Sequence, residues 1–103
     1  MPASIVRVTP TDFDAWHRAH LAGVTRFGRA MGLVLETIYR DHDDPRTVVI
    51  VQVVEDIDRF RAVIASPEFQ ETVAAAPIDG PPVFWSLDLV NTLDVAALWP
   101  PES

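Results

Sequence analysis

The chain has no cysteine and, in 103 residues, only 4 glycines and 1 tyrosine. Without cysteine there are no disulfides, no thiolate chemistry and no Cys-based metal or iron–sulfur sites. All eight basic residues are arginine, against 15 acidic ones, for a net charge of −7. Nucleic-acid affinity rests largely on neutralising phosphates, so this balance argues against DNA or RNA as a partner. It argues equally against an anionic membrane surface. No stretch is apolar for long: residues 48–54 come closest and are interrupted by Gln52, far short of a bilayer span. The first ten residues lack a basic segment followed by a long apolar one, so no secretory signal is expected and a cytoplasmic protein is the default reading.

What is abundant is apolar residues, 49% of the chain. At this length one domain is expected, and it buries roughly 65% of the surface exposed on unfolding. Some apolar surface must then go elsewhere, and a second copy of the chain is the simplest destination.

Punctuation and periodicity give the elements. Residues 4–9 read as a strand ended by Pro10. Thr11 is a candidate N-cap with Asp14 three residues on. Phe13, Trp16, His17, His20, Val24, Phe27 and Met31 recur at helical spacing, and Gly32 is a C-terminal stop. Residues 33–40 are a second strand, and the run Asp41-His42-Asp43-Asp44-Pro45 is a hairpin turn. Residues 47–55 form a Val/Ile-rich third strand. Asp56 caps a second helix with Ile57, Phe60, Val63 and Ile64 inward. Ser66-Pro67 breaks it and starts a further segment. Residues 83–92 read as the fourth strand and 93–103 as a C-terminal arm carrying Trp99.

Strand, helix, hairpin, helix, strand with right-handed crossovers is the α+β ferredoxin-like βαββαβ sandwich: a four-stranded antiparallel sheet with the helices on one face. In alternation, Leu33, Leu35, Thr37 and Tyr39 share one face, opposite Val34, Glu36, Ile38 and Arg40. Val83, Trp85, Leu87 and Leu89 lie opposite Phe84, Ser86, Asp88 and Val90. Neither face is polar enough to be solvated, which predicts a homodimer with its two sheets face to face.

Several motifs carry a resemblance. They are Ile38-Tyr39-Arg40 before Asp43-Asp44-Pro45, Val53-Val54-Glu55-Asp56, Ala65-Ser66-Pro67-Glu68-Phe69, and Ala76-Pro77 with Gly80-Pro81-Pro82. Across nearly its whole length the chain resembles the dimeric α/β barrel superfamily. In particular it resembles antibiotic-biosynthesis-monooxygenase-like domains and small actinobacterial cyclase-type proteins. The resemblance implies a dimer whose sheets close a barrel, with a ligand between sheet and helices in each subunit. It implies chemistry such as cofactor-free oxygenation, cyclisation or isomerisation, though one such fold hosts many reactions. Where monooxygenase-type members carry Trp and His, this sequence has Val54 and Val63. Where haem-degrading members need a helix Trp and an iron-ligating His, it has Val63 and Val73. Haem degradation is therefore not expected.

Any chemistry must then rest on the first helix and on polar positions within strands. His20 shares its helix face with Trp16, and an imidazole there could act as general base on a phenol or an activated methylene. The alternative is a structural histidine hydrogen-bonded to a strand carbonyl. His17 is three residues away, but no third metal ligand is evident and no metal is expected. Glu36, Gln52, Ser86 and Asp88 interrupt apolar strands. Buried carboxylates need partners, and Arg7 is the expected one. Glu36 or Asp88 would serve as base or orienting group, or as one half of an ion pair that sets register at a dimer interface. Trp16, His17, Tyr39, Gln52 and Trp85 are the candidate substrate-binding side chains, the aromatics either stacking on a planar ligand or filling the core. The expected occupant is a small apolar, aromatic or polyketide-like molecule, turned over without a cofactor. A non-catalytic binding or protein-interaction module is the competing expectation.

Overall fold

The computed structural model describes residues 1–102; Ser103, the last residue of the expected arm, lies outside the described residues. The elements are β1 (Ala3–Val8), α1 (Phe13–Met31), β2 (Leu33–Arg40), β3 (Val48–Val54), α2 (Ile57–Ile64), α3 (Pro67–Ala74) and β4 (Val83–Leu87). One antiparallel sheet has the order β2-β3-β1-β4, with helices on one face. This is the ferredoxin-like α+β arrangement.

The caps fall close to the signals in the sequence. The α1 cap is Asp12, whose carboxylate accepts the Ala15 N–H at 2.9 Å. Thr11, the expected cap, is used elsewhere: its hydroxyl and its N–H both donate to the Pro77 carbonyl. A charged acceptor suits the positive end of a helix better than a neutral one. Gly32 ends α1 at φ +71°, a left-handed conformation that costs other residues energy. Asp56 caps α2 through the N–H groups of Asp58 and Arg59, and Ser66 caps α3 through Phe69. In the hairpin, Asp41 accepts from the N–H groups of Asp43 and Asp44. Asp44 accepts from Arg46 and Thr47. The acidic run is turn scaffolding.

Two features depart from expectation. The fourth strand stops at Leu87, not at residue 92. Its partner β1 begins at Ala3, opposite Leu87, so the pairing ends there. Asp88 therefore follows the strand and is exposed. The second departure is a bulge in β2. Leu33 pairs with Val54 and Leu35 with Val53, leaving Val34 extra. A bulge resets alternation, so Leu33 packs in the core while Leu35 is 61% exposed. The expected grouping of Leu33 with Leu35, Thr37 and Tyr39 fails for this reason. The extra residue lets Leu33 and Glu36 share the helix-covered face.

That inner face holds two apolar clusters. Val6, Val8, Trp16, Val48 and Ile50 form one; Phe27, Met31, Val54 and Phe60 form the other. Along β3 the inward residues run Val48, Ile50, Gln52, Val54, so Gln52 sits at the seam. The outer face carries Ile5, Val51, Trp85, Tyr39, Leu35 and Leu87, with no helix over it among the described residues. The last four are 40–61% exposed. Beyond β4 the arm exposes Leu93, Leu98 and Trp99. The accessible surface is 7315 Å², where a monomer of this mass should show about 5,800 Å². The radius of gyration is 16.1 Å, against about 12.8 Å for a compact chain of this length. No helix among the described residues is long and apolar enough to cross a membrane.

Candidate functional site

The seam between the clusters is polar and hydrogen-bonded. His20, on the third turn of α1, places Nε2 2.8 Å from Glu36 Oε2. Gln52 Nε2 donates to Glu36 Oε1 at 2.7 Å. Glu36 and Gln52 are direct partners across β2 and β3, so the sheet holds the carboxylate and the helix brings the imidazole to it. Trp16, one helical turn before His20 and only 3% exposed, stacks on the imidazole with ring centroids 4.9 Å apart and planes 19° apart. The side chains of His20 and Glu36 are 16% and 14% exposed.

Burial pushes the Glu36 carboxyl up. The hydrogen bonds from His20 and Gln52, with the charges of His20 and His17, outweigh it and hold the group below its ordinary value. An ionised carboxylate only accepts hydrogen bonds. Nε2 of His20 therefore carries the hydrogen toward Glu36, and in the neutral ring Nδ1 keeps the lone pair. Chemically, an imidazole so oriented by a carboxylate is able to accept a proton at Nδ1.

The site faces a cavity of about 120 Å³ between sheet and helices, lined mainly by apolar groups from both clusters, with His20, Gln52 and Thr72 as its polar side chains. An apolar cavity of about 150 Å³ is enough to take benzene, so the space is close to one aromatic ring. Phe69, Ile78, Pro82 and Phe84 also line an adjoining, more open cleft of about 570 Å³, room for the rest of a larger molecule.

Of the residues singled out in the sequence, the structure brings together His20, Glu36, Gln52 and Trp16. His17 packs between Phe13 and Trp16, beside the site. Tyr39 and Trp85 lie on the outer face, since Trp85 pairs with Ile5 and Tyr39 with Val49. Asp88 is outside the sheet. Arg7 points to the outer face and takes no part; the partner of Glu36 is His20 instead. Among the described residues, no three His, Asp or Glu side chains converge as metal ligands. One residue at the seam escaped the sequence reading. Ser4 pairs with Gln52 from β1, is 0% exposed, and its hydroxyl has no partner among the described residues. Only strand pairing reveals it: Glu36, Gln52, Ser4 and Ser86 form one row across the sheet.

No family model matches the chain, and no curated protein does. Solved structures do. SnoaB, a cofactor-independent oxygenase from Streptomyces nogalater, superposes with a TM-score of 0.74 at 22% identity, covering 90% of this chain and 96% of that one. A putative antibiotic biosynthesis monooxygenase from Bordetella bronchiseptica gives 0.72 at 18% identity, over 87% of this chain and 97% of the other. One from Deinococcus radiodurans gives 0.68 at 12%, over 91% and 97%. The fold is that of the antibiotic biosynthesis monooxygenase-like proteins. At these identities the likeness is one of backbone, and within the monooxygenase-like fold the chemistry must be argued from the His20–Glu36–Gln52 constellation itself.

Proposed function

We propose that the chain is a homodimeric small-molecule-binding protein of the monooxygenase-like fold. It takes an apolar aromatic or polyketide-like molecule between sheet and helices and acts on it without a cofactor, with His20 as general base. The observation that carries this reading is the 2.8 Å His20–Glu36 pair at the wall of an otherwise apolar cavity. A phenol O–H or an activated methylene C–H gives its proton to Nδ1 of His20. Glu36 stabilises the imidazolium that forms, and the Trp16 ring shields one imidazole face from water. The resulting anion has two productive fates. It adds to a carbonyl of the same molecule, closing a ring. Alternatively a methylene carbanion reacts with dissolved dioxygen, forming a peroxide that loses water and leaves a carbonyl, so that CH₂ and O₂ become C=O and H₂O. The cofactor-independent oxygenase among the structural neighbours supports the second fate.

The dimer half of the reading rests on the uncovered outer face and on the surface in excess of a compact monomer. The excess, about 1,500 Å² on each chain against its 7315 Å² total, is larger than the roughly 800 Å² that a standard interface removes from each partner.

The test is hydrogen–deuterium exchange at the methylene of anthrone, an activated aromatic ketone, followed by NMR in anaerobic D₂O. The wild-type chain should accelerate exchange over buffer, and His20→Ala should return it to the buffer rate without changing the far-UV spectrum. Full acceleration by His20→Ala would refute the base assignment. Binding of anthrone with no acceleration by the wild type would leave a binding protein rather than an enzyme.

A further inference from the structure

The inward stripe of α1 runs Trp16, His20, Gly23, Phe27, at steps of four, three and four residues. Three of these carry rings and the fourth has no side chain at all. Glycine inside a helix is unfavourable, because it gives up more backbone freedom than any other residue. Such a glycine is usually explained by a close approach of neighbouring atoms. Gly28, the other glycine within α1, fits that account: a Cβ there would lie 3.6 Å from the side chains of Leu33 and Val24. Gly23 does not fit it. Apart from its chain neighbours and the helix backbone, no heavy atom among the described residues lies within 4 Å of where its Cβ would stand. The open space beside it belongs to the site. Gly23 lines the cavity together with His20, and it also lines a groove between α1 and α3 that shares Ala19, Thr72 and Ala76 with the cavity. Packing does not demand a glycine at position 23, whereas an open cavity does.

We propose that Gly23 is a specificity-determining residue. The ligand's ring system passes between α1 and α3 and lies against the bare backbone at position 23, about one helical turn from the His20 imidazole. The missing side chain then decides how wide a ring system reaches His20. An alanine at 23 would narrow the space and a leucine would close it, while either would favour the helix. The inference rests on the cavity being a ligand site, as in the reading above, and adds the residue that sets the width of what enters.

The experiment titrates the full chain and its Gly23→Ala and Gly23→Leu variants, by NMR, with anthrone, which has three fused rings, and with phenylacetone, which has one. Gly23→Ala should lower the affinity for anthrone about tenfold and hold that for phenylacetone within about threefold, since one methyl group in a pocket discriminates by roughly 10–200-fold. Gly23→Leu should abolish binding of both. Both variants should melt above wild type, Gly23→Ala by about 4–8 °C. Binding is thus lost while stability is gained, which a merely structural glycine would not give. Unchanged anthrone affinity in Gly23→Leu overturns the inference and leaves the binding reading intact. So does a Gly23→Ala variant that melts below wild type, because the space beside Gly23 would then be filled. If Gly23→Leu fails to fold, the anthrone-to-phenylacetone ratio in Gly23→Ala decides, and an unchanged ratio overturns the inference. Failure of the wild type to bind either compound overturns both readings.

Discussion

Replacing Glu36 by Gln removes one charge and almost no volume. In the wild type each carboxylate oxygen accepts one hydrogen bond, from His20 at 2.8 Å and from Gln52 at 2.7 Å. The amide keeps one acceptor. If that oxygen stays on Gln52, the new NH₂ faces His20, whose Nε2 must then accept and whose Nδ1 must carry the hydrogen. The lone pair needed for proton abstraction is lost from Nδ1. Well-placed general bases contribute about 10²–10⁴-fold, so anthrone exchange should fall at least about 100-fold with the fold intact. The stability change has a sign that can be checked. Hydrogen bonds to charged groups are worth about 1.5–3 kcal/mol each, offset here by the burial of the carboxylate. We expect a net loss of about 1–2 kcal/mol at pH 7, which lowers Tm by about 5–10 °C in a domain of this size. Because the folded-state value of Glu36 lies below its ordinary 4.5, its contribution is fully present above pH 4.5. It is lost as pH falls through the lower folded value. Thermal melts of wild type and variant should therefore differ at pH 7 and converge in acid. Two results would refute the reasoning: parallel melts at every pH, or an exchange rate within a few-fold of wild type.

Gly32→Ala tests the end of α1. An added Cβ would sit 3.5 Å from its nearest neighbours, Arg59 and Glu55, which is ordinary contact. The cost is therefore that of φ +71° alone, about 1–2 kcal/mol, read as a Tm lower by about 5–10 °C. Trp85→Asp places a charge in the middle of the outer face. If two sheets pack there, light scattering after gel filtration should show the mass halved to near 11.4 kDa, with the far-UV spectrum kept. A wild type already monomeric at micromolar concentration would refute the dimer.

Local signals in the sequence placed most elements because their causes are local. Gly32, Asp56 and Ser66-Pro67 act within one helical turn, and the Val/Ile run of β3 needs no partner to be read. The errors were all non-local. The length of β4 is set by where β1 begins, eighty residues earlier. The face of Leu33 depends on a bulge at Val34 that exists only because β2 must match β3. The cap of α1 moved to Asp12 when the Pro77 carbonyl claimed Thr11.

The candidate site divides the same way. Helical spacing put His20 on the face of Trp16, and Glu36 and Gln52 stood out as polar breaks in apolar strands. Arg7 looked like the natural partner for a buried carboxylate, because opposite charge is all that composition offers.

The α+β order, most helix ends and the exclusion of thiol chemistry were legible in the residues alone. Which polar residues meet was settled by folding. Strand register and helix docking, acting over sixteen residues and more, joined His20 and Gln52 to Glu36 and turned Tyr39 and Trp85 to the other side. They also left one amide oxygen and one serine hydroxyl buried without partners among the described residues.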